Sequence, residues 1–226
     1  MPYKVKVLKI EQVTHDVKRF VIEKPENYKF IPGQATLVSI DKDIWRKKQS
    51  PFTFTSLNSD DFLEFTIKIY KDKEGVTNEL DSIKVDEYFV IREPFGTINY
   101  KGQGIFIAGG AGITPFIAIL RQLRKENKLE GNKLIFSNKT SKDVILEKEF
   151  REMFKNNPEN LILTLTKDSK EKYENKKIDK EFLKSHISDF NQKFYICGPP
   201  NFVYDIKEIL KGFGVKSENI IIEKDF

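Results

Sequence analysis

The chain has 226 residues, 39% of them apolar and 12% aromatic, which is enough for one large core or two modest ones and argues against disorder. No apolar run approaches the roughly 20 residues of a membrane-spanning helix, and the opening "MPYKVKVLKI" lacks the apolar middle of a signal peptide, so the expected location is the cytoplasm. The net charge of +5, from 39 Lys and Arg against 34 Asp and Glu, is a modest excess with its densest spot at "WRKKQ" (45–49) and no aromatic-interleaved basic stripe of the nucleic-acid-binding kind.

In chain order, the first hundred residues read as strands. "KVKVLKI" alternates, "LVSI" follows a Pro-Gly turn, and "LEFTIKIY" alternates so that Leu63, Phe65, Ile67 and Ile69 share one face. Turn signals recur at "KPEN", "IPGQ", "NSDD", "KDKEG" and "REPFG", and strands so spaced predict a small antiparallel barrel. One helix is predicted at "GVTNELDSI", capped by Thr77 or Asn78.

Near "YKGQG" (100–104) the pattern changes. Apolar runs "GIFIAG", "KLIFSN", "LILTLT", "KFYICG" and "NIIIEK" alternate with helical patterns. These carry Phe116, Ile119, Leu120 and Leu123, then Leu146, Phe150, Met153 and Phe154, then Phe202, Val203, Ile206, Ile209 and Leu210 up to Gly212. Such alternation predicts a parallel sheet covered on both faces. The expected division is 1–101 for the barrel and 102–226 for the α/β domain, without a low-complexity linker.

The single Cys197 and the widely separated His15 and His186 point away from disulfide, cluster or metal chemistry. "IAGGAGITPF" (107–116) is a strand, a glycine turn and a helix start, with Thr114 able to cap and Pro115 suited to the first helical position. Its glycines, Gly110 and Gly112 among them, would bring backbone amides close to an anion, although a tight turn without a ligand reads the same way.

Six segments occur in order: "FIPGQ" (30–34), "SPFTFTS" (50–56), "GVTNEL" (75–80), "EPFG" (93–96), "AGGAGITPF" (108–116) and "CGPP" (197–200). Together they resemble the ferredoxin–NADP(+) reductase superfamily over nearly the whole chain. The resemblance implies a six-stranded antiparallel flavin-binding β-barrel, then an NAD(P)-binding domain with a five-stranded parallel sheet, the flavin lying between them. In that family G-x-G-x-x-P is the ordinary nucleotide loop.

The resemblance also implies roles for residues. Ser50, Pro51, Phe52 and Thr53 match the family's Arg-x-Tyr-Ser/Thr segment. Phe52 stands for the tyrosine that lies against the flavin, and Thr53 for the hydroxyl that reaches flavin N5. Ser50 departs from the arginine that neutralises the flavin phosphates, a charge that Arg46, Lys47 or Lys48 would supply from nearby. Gly75, Val76 and Thr77 match the phosphate-binding helix start, which favours FAD over FMN, and Tyr70 would stack on the adenine. Cys197, Gly198 and Pro199 match the element beside the nicotinamide. Thr166 and Lys167 stand where members preferring NADPH hold its 2′-phosphate. Glu223 and Phe226 correspond to the family's terminal glutamate and aromatic.

The implied activity is hydride transfer from NADPH or NADH to bound FAD, with electrons passed on to a separate acceptor such as a small acidic ferredoxin or flavodoxin. The alternatives are a flavin or ferric reductase, an oxygenase-reductase component, or a non-catalytic flavin-binding subunit. A monomer that binds neither nucleic acid nor membrane is expected.

Overall fold

A computed structural model describes residues 2–71 and 74–223. The chain divides into two compact units, Met1–Asn99 with Thr114–Gln122, and Tyr100–Ile113 with Leu123–Phe226.

The first unit holds six strands: β1 (Tyr3–Thr14), β2 (Val17–Glu23), β3 (Ala35–Ile40), β4 (Ser50–Thr53), β5 (Phe62–Lys68) and β6 (Tyr88–Ile91). They pair antiparallel throughout, in the order β4-β3-β6-β1-β2-β5. An isolated bridge between Phe54 and Phe65 joins the two ends and closes the barrel. Leu63, Phe65, Ile67 and Ile69 face the core as the alternation predicts, with Phe54 stacked on Phe30 at 4.3 Å between ring centroids. Glu64 and Thr66, on the opposite face of β5, are buried too. Between β3 and β4 a 3-10 turn, Asp43–Lys47, carries Trp45, which packs partly on the barrel core under the Lys48 ammonium.

The predicted helix "GVTNELDSI" is one turn, α1 (Val76–Glu79), and Gly75 rather than Thr77 or Asn78 precedes it. Asp81 and Ser82 close tight turns onto Asn78 and Glu79, which ends the helix before Ile83. Leu80 and Ile83 are buried all the same, and these two apolar positions mimic a longer helical period.

The second unit holds β7 (Gly104–Gly109), β8 (Lys133–Asn138), β9 (Leu161–Leu165), β10 (Lys193–Cys197) and β11 (Ile220–Ile222). The sheet is parallel, in the order β11-β10-β7-β8-β9. Its helices are α3 (Glu147–Met153), α4 (Lys180–His186) and α5 (Pro200–Gly212), while α2 (Thr114–Lys125), which follows β7, belongs to the first unit as far as Gln122. Ile105, Ile107, Ile135, Phe194 and Ile196 pack on one face with Phe182, Ile206 and Leu210 from α4 and α5.

Three local expectations are corrected. A 3-10 turn, Gly110–Ile113, runs straight into α2, so Thr114 is the first helical residue and Pro115 the second, rather than cap and first. Leu146 precedes α3 with a left-handed φ of 54° instead of lying inside it. Helix α4, for which the sequence pattern gave no signal, starts with Asp179 accepting from the Phe182 amide.

Candidate active site

In the first unit the candidate residues lie along β4 and just beyond it. β4 is a sheet-end strand pairing only through Ala35–Val38 of β3, with Thr53 opposite Ala35, Phe52 opposite Thr36 and Ser50 opposite Val38. Pro51 is exposed, whereas Ser50, Phe52 and Thr53 are half-buried. Phe52 is only partly buried and packs on the barrel core, its ring centroid 6.5 Å from that of Phe65.

Of the three cations near Ser50, two are engaged locally and Lys47 is exposed. Arg46 donates to Asp41 at 2.5 Å, and the Lys48 ammonium stands 4.6 Å from the Trp45 ring centroid. Arg92 also reaches the neighbouring Gln49. With the Gln49 amide oriented to satisfy both partners, its oxygen accepts from Arg92 Nε at 3.0 Å and Nη2 at 2.8 Å. Val38 pairs both Ser50 and Ile91, so β4 and β6 flank the same residue and Arg92 follows directly. No spacing rule links residues 49 and 92; only the barrel register does.

Gly75 stands at the start of α1, where an added Cβ would meet open space. The turn's hydrogen bonds begin with Asn78 and Glu79 donating to the Gly75 carbonyl, and the first amides of any helical turn lie outside its own ladder. Val76 is buried and Thr77 half-buried. Tyr70 is exposed, two residues beyond the end of β5.

In the second unit the sheet order reverses between β7 and β10, so their carboxyl ends form a topological switch point, the place where open parallel sheets take ligands. The glycines there serve separate purposes. A Cβ on Gly109 would stand 3.1 Å, and one on Gly198 2.7 Å, from Phe202 of α5, so both make room for that ring. Gly112 lets its loop meet the Cys197–Gly198 backbone. Of the four glycines Gly109, Gly110, Gly112 and Gly198, it is Gly110 that combines a left-handed φ of 54° with open space at its Cβ position, leaving its backbone approachable.

Cys197 ends β10 half-buried, with Pro199 exposed after it. Burial pushes its thiol up to about 12, and the nearby Glu223 carboxylate adds to the shift, while the Gly198 amide opposes it. Ile222 pairs Ile196, so Glu223 follows β11 next to Cys197, and the structure brings these two candidates together. Phe226 lies outside the described residues.

At the far end of the switch, β8 and β9 stay joined past their ends. Thr166 donates to the Asn138 carbonyl at 3.0 Å and Lys167 to that of Lys139 at 2.8 Å. Thr166 and Lys167 are exposed. Asp168, the acidic neighbour, turns toward Ser141, accepting from its amide at 3.3 Å and its hydroxyl at 3.1 Å, and these bonds lower its pKa.

The glycine loop, the approachable Gly110 and the exposed cations therefore fit a dinucleotide. The open space at Gly75 and the Arg92 guanidinium at Gln49, the residue before Ser50, fit a flavin diphosphate.

Residues 2–133 match the family model of an FAD-binding domain, and residues 106–208 that of an oxidoreductase NAD-binding domain. NADH-cytochrome b5 reductase 2-A of Vanderwaltozyma polyspora is 29% identical over 211 residues, covering 87% of this chain and 71% of that protein. NADH-cytochrome b5 reductase 2 of Homo sapiens is 26% identical over 243 residues, covering 89% and 86%. The flavohem-like FAD/NAD binding domain of nitric oxide dioxygenase from Vibrio cholerae superposes with a TM-score of 0.86 at 19% identity, covering 97% of each chain. A ferredoxin NADP+ reductase from Neisseria gonorrhoeae, solved with FAD and NADP, gives 0.84 at 19% identity, covering 100% of this chain and 99% of that one.

Proposed function

Because this chain belongs to the ferredoxin–NADP(+) reductase superfamily and is an oxidoreductase that uses FAD and NAD(P)H, we propose that it delivers electrons to a small acidic electron-transfer protein. Ferredoxin and flavodoxin suit the superfamily, and the names of the curated relatives add cytochrome b5. The observation that carries this reading is the glycine loop set against Cys197–Gly198 at the switch point, with Glu223 beside the thiol.

In this reading FAD supplies the hydride acceptor between NAD(P)H and the one-electron carrier. The chain's own residues bind and orient. Arg92 and the α1 start would hold the flavin diphosphate, Phe52 would lie against the ring, and the Thr53 hydroxyl would serve N5. Gly110, Gly112, Thr114 and Pro115 form the nucleotide loop. Cys197 stays a neutral thiol that shapes the nicotinamide pocket, because burial and Glu223 both disfavour the thiolate. The carrier docks near the exposed Ile44 and the exposed basic residues 46–48. A cytoplasmic monomer is part of the proposal, tested by fractionation and sedimentation.

The deciding experiment is anaerobic addition of NADPH or NADH to the purified yellow protein, followed by cytochrome b5, ferredoxin, flavodoxin, free FMN or ferric citrate. Bleaching, then faster reoxidation by a carrier protein than by the small acceptors, supports the reading. Faster reoxidation by free flavin or iron would make the protein a flavin or ferric reductase. No bleaching would make it a flavin-binding subunit.

A further inference from the structure

The barrel closes where β4 and β5 meet, at the ends of the strand order. The backbone seam is short: the Phe54–Phe65 bridge and the Thr55 amide donating to the Glu64 carbonyl at 2.8 Å. A carboxylate sits in this seam. Glu64 is only 5% exposed, yet it lies on the outer face of β5, where strand alternation would place a solvated side chain.

What covers and neutralises it comes from α2. Arg121, in the part of α2 that belongs to the barrel unit, donates from Nη1 to Glu64 Oε1 at 2.7 Å. The same Nη1 donates to the Thr55 carbonyl at 2.6 Å. The Thr55 hydroxyl donates to Glu64 Oε1 at 2.7 Å, and the Glu64 amide donates to Ser56 Oγ at 3.0 Å. The Thr66 hydroxyl lies 3.3 Å from that of Thr55, and Arg19 Nε stands 3.9 Å from Glu64 Oε2. The amide, carbonyl and hydroxyl of Thr55 are thus all engaged. Thr55 is two residues beyond Thr53.

A buried ion pair is a poor choice if stability is all that is required, since hydrophobic residues of similar volume often serve as well or better. Two apolar side chains would fill this seam. They would not fix the direction of one carbonyl and one hydroxyl. We propose that Arg121 and Glu64 are positioning residues for the flavin reaction: by clamping Thr55 they hold the backbone that presents the Thr53 hydroxyl. The inference rests on the reading that Thr53 faces the flavin.

The test compares the double variant Glu64→Leu/Arg121→Met with Thr53→Val and the unaltered holoenzyme, measuring FAD content, thermal midpoint and single-turnover flavin reduction at several NADPH concentrations. The expected double variant keeps its FAD and melts close to the parent. Its limiting reduction rate falls at least tenfold while the NADPH concentration giving half that rate stays put. A purely structural pair would move the melting point and leave the rate alone, and that result overturns the proposal. Should the double variant fail to fold, Thr55→Val decides. It deletes only the hydroxyl contacts, and a slowed reduction with FAD retained supports the clamp, whereas an unchanged rate overturns it. A slowed Thr53→Val beside a normal double variant rejects the clamp alone. A normal Thr53→Val rejects the flavin-facing reading and the clamp with it.

Discussion

A Cβ on Gly112 would lie 2.4 Å from the carbonyl oxygen of Cys197 and 2.5 Å from the Gly198 nitrogen. The loops that end β7 and β10 therefore touch backbone to backbone, and neither contacting atom can swing aside as a side chain would. Gly112→Ala is expected to force the loops apart, with a penalty of about 1–3 kcal/mol typical of overpacking. NADP+ affinity should fall about tenfold or more while FAD content holds. Equilibrium titration of the flavin spectrum with NADP+ measures this, and an undiminished affinity would separate the loop from the coenzyme.

Thr53→Val is nearly isosteric. Loss of its hydroxyl should slow flavin reduction by about tenfold, or roughly 1.4 kcal/mol of transition-state stabilisation. Stopped-flow reduction at saturating NADPH reads this directly, with flavin content as the control.

Arg92→Ala should weaken FAD binding by about tenfold or more, since a hydrogen bond to a charged group contributes about 1.5–3 kcal/mol. Arg46→Ala should leave FAD in place, because that guanidinium is engaged by Asp41. FAD retained through gel filtration distinguishes the two. Equal loss from both variants would return the phosphate charge to the basic turn.

Lys167 is exposed, and Asp168 is turned away toward Ser141. Lys167→Ala should therefore weaken NADPH binding by about 1–2 kcal/mol, the scale of one charge-assisted contact, with little change for NADH. Parallel titrations with the two coenzymes check it, and equal losses would mean that the lysine does not read the 2′-phosphate.

The Cys197 thiol is pushed up to about 12 from 9.0, first by burial and then by Glu223. Between those values the unfolded thiol loses its proton and the folded one keeps it, so the folded state binds more protons and stability falls as pH rises. Cys197→Ala should flatten the decline in melting temperature above pH 9. Below pH 9 the residue should contribute no pH dependence, and iodoacetamide should label the native thiol slowly. Rapid labelling at pH 8 would contradict a neutral, sheltered thiol.

The barrel strand at "LEFTIKIY" was legible because period-two alternation is local. The burial of Glu64 and Thr66 on its outer face was not, because the Arg121 that answers Glu64 is 57 positions further along the chain. The nucleotide loop and "CGPP" were legible as motifs. The distinct tasks of the glycines became visible only when Phe202 and Cys197 were seen beside them. Helix α4 escaped notice because it has seven residues, and only Phe182 and Leu183 among them are buried. α1 was overread for the opposite reason, as Leu80 and Ile83 keep a helical spacing after the helix has ended.

Trp45 is the one tryptophan of the sequence, and it packs partly on the barrel core. All indole emission therefore originates in the first unit, whereas the stacked Tyr195 and Phe106 belong to the second. A melt followed at tryptophan wavelengths reports on the barrel alone, and one followed by the far-ultraviolet helix signal draws chiefly on α3, α4 and α5 of the second unit, with a smaller share from α2 of the first. Coincident curves would mark a single cooperative transition, and separated curves two. The placement of one indole thus lets each unit's unfolding be timed without a label.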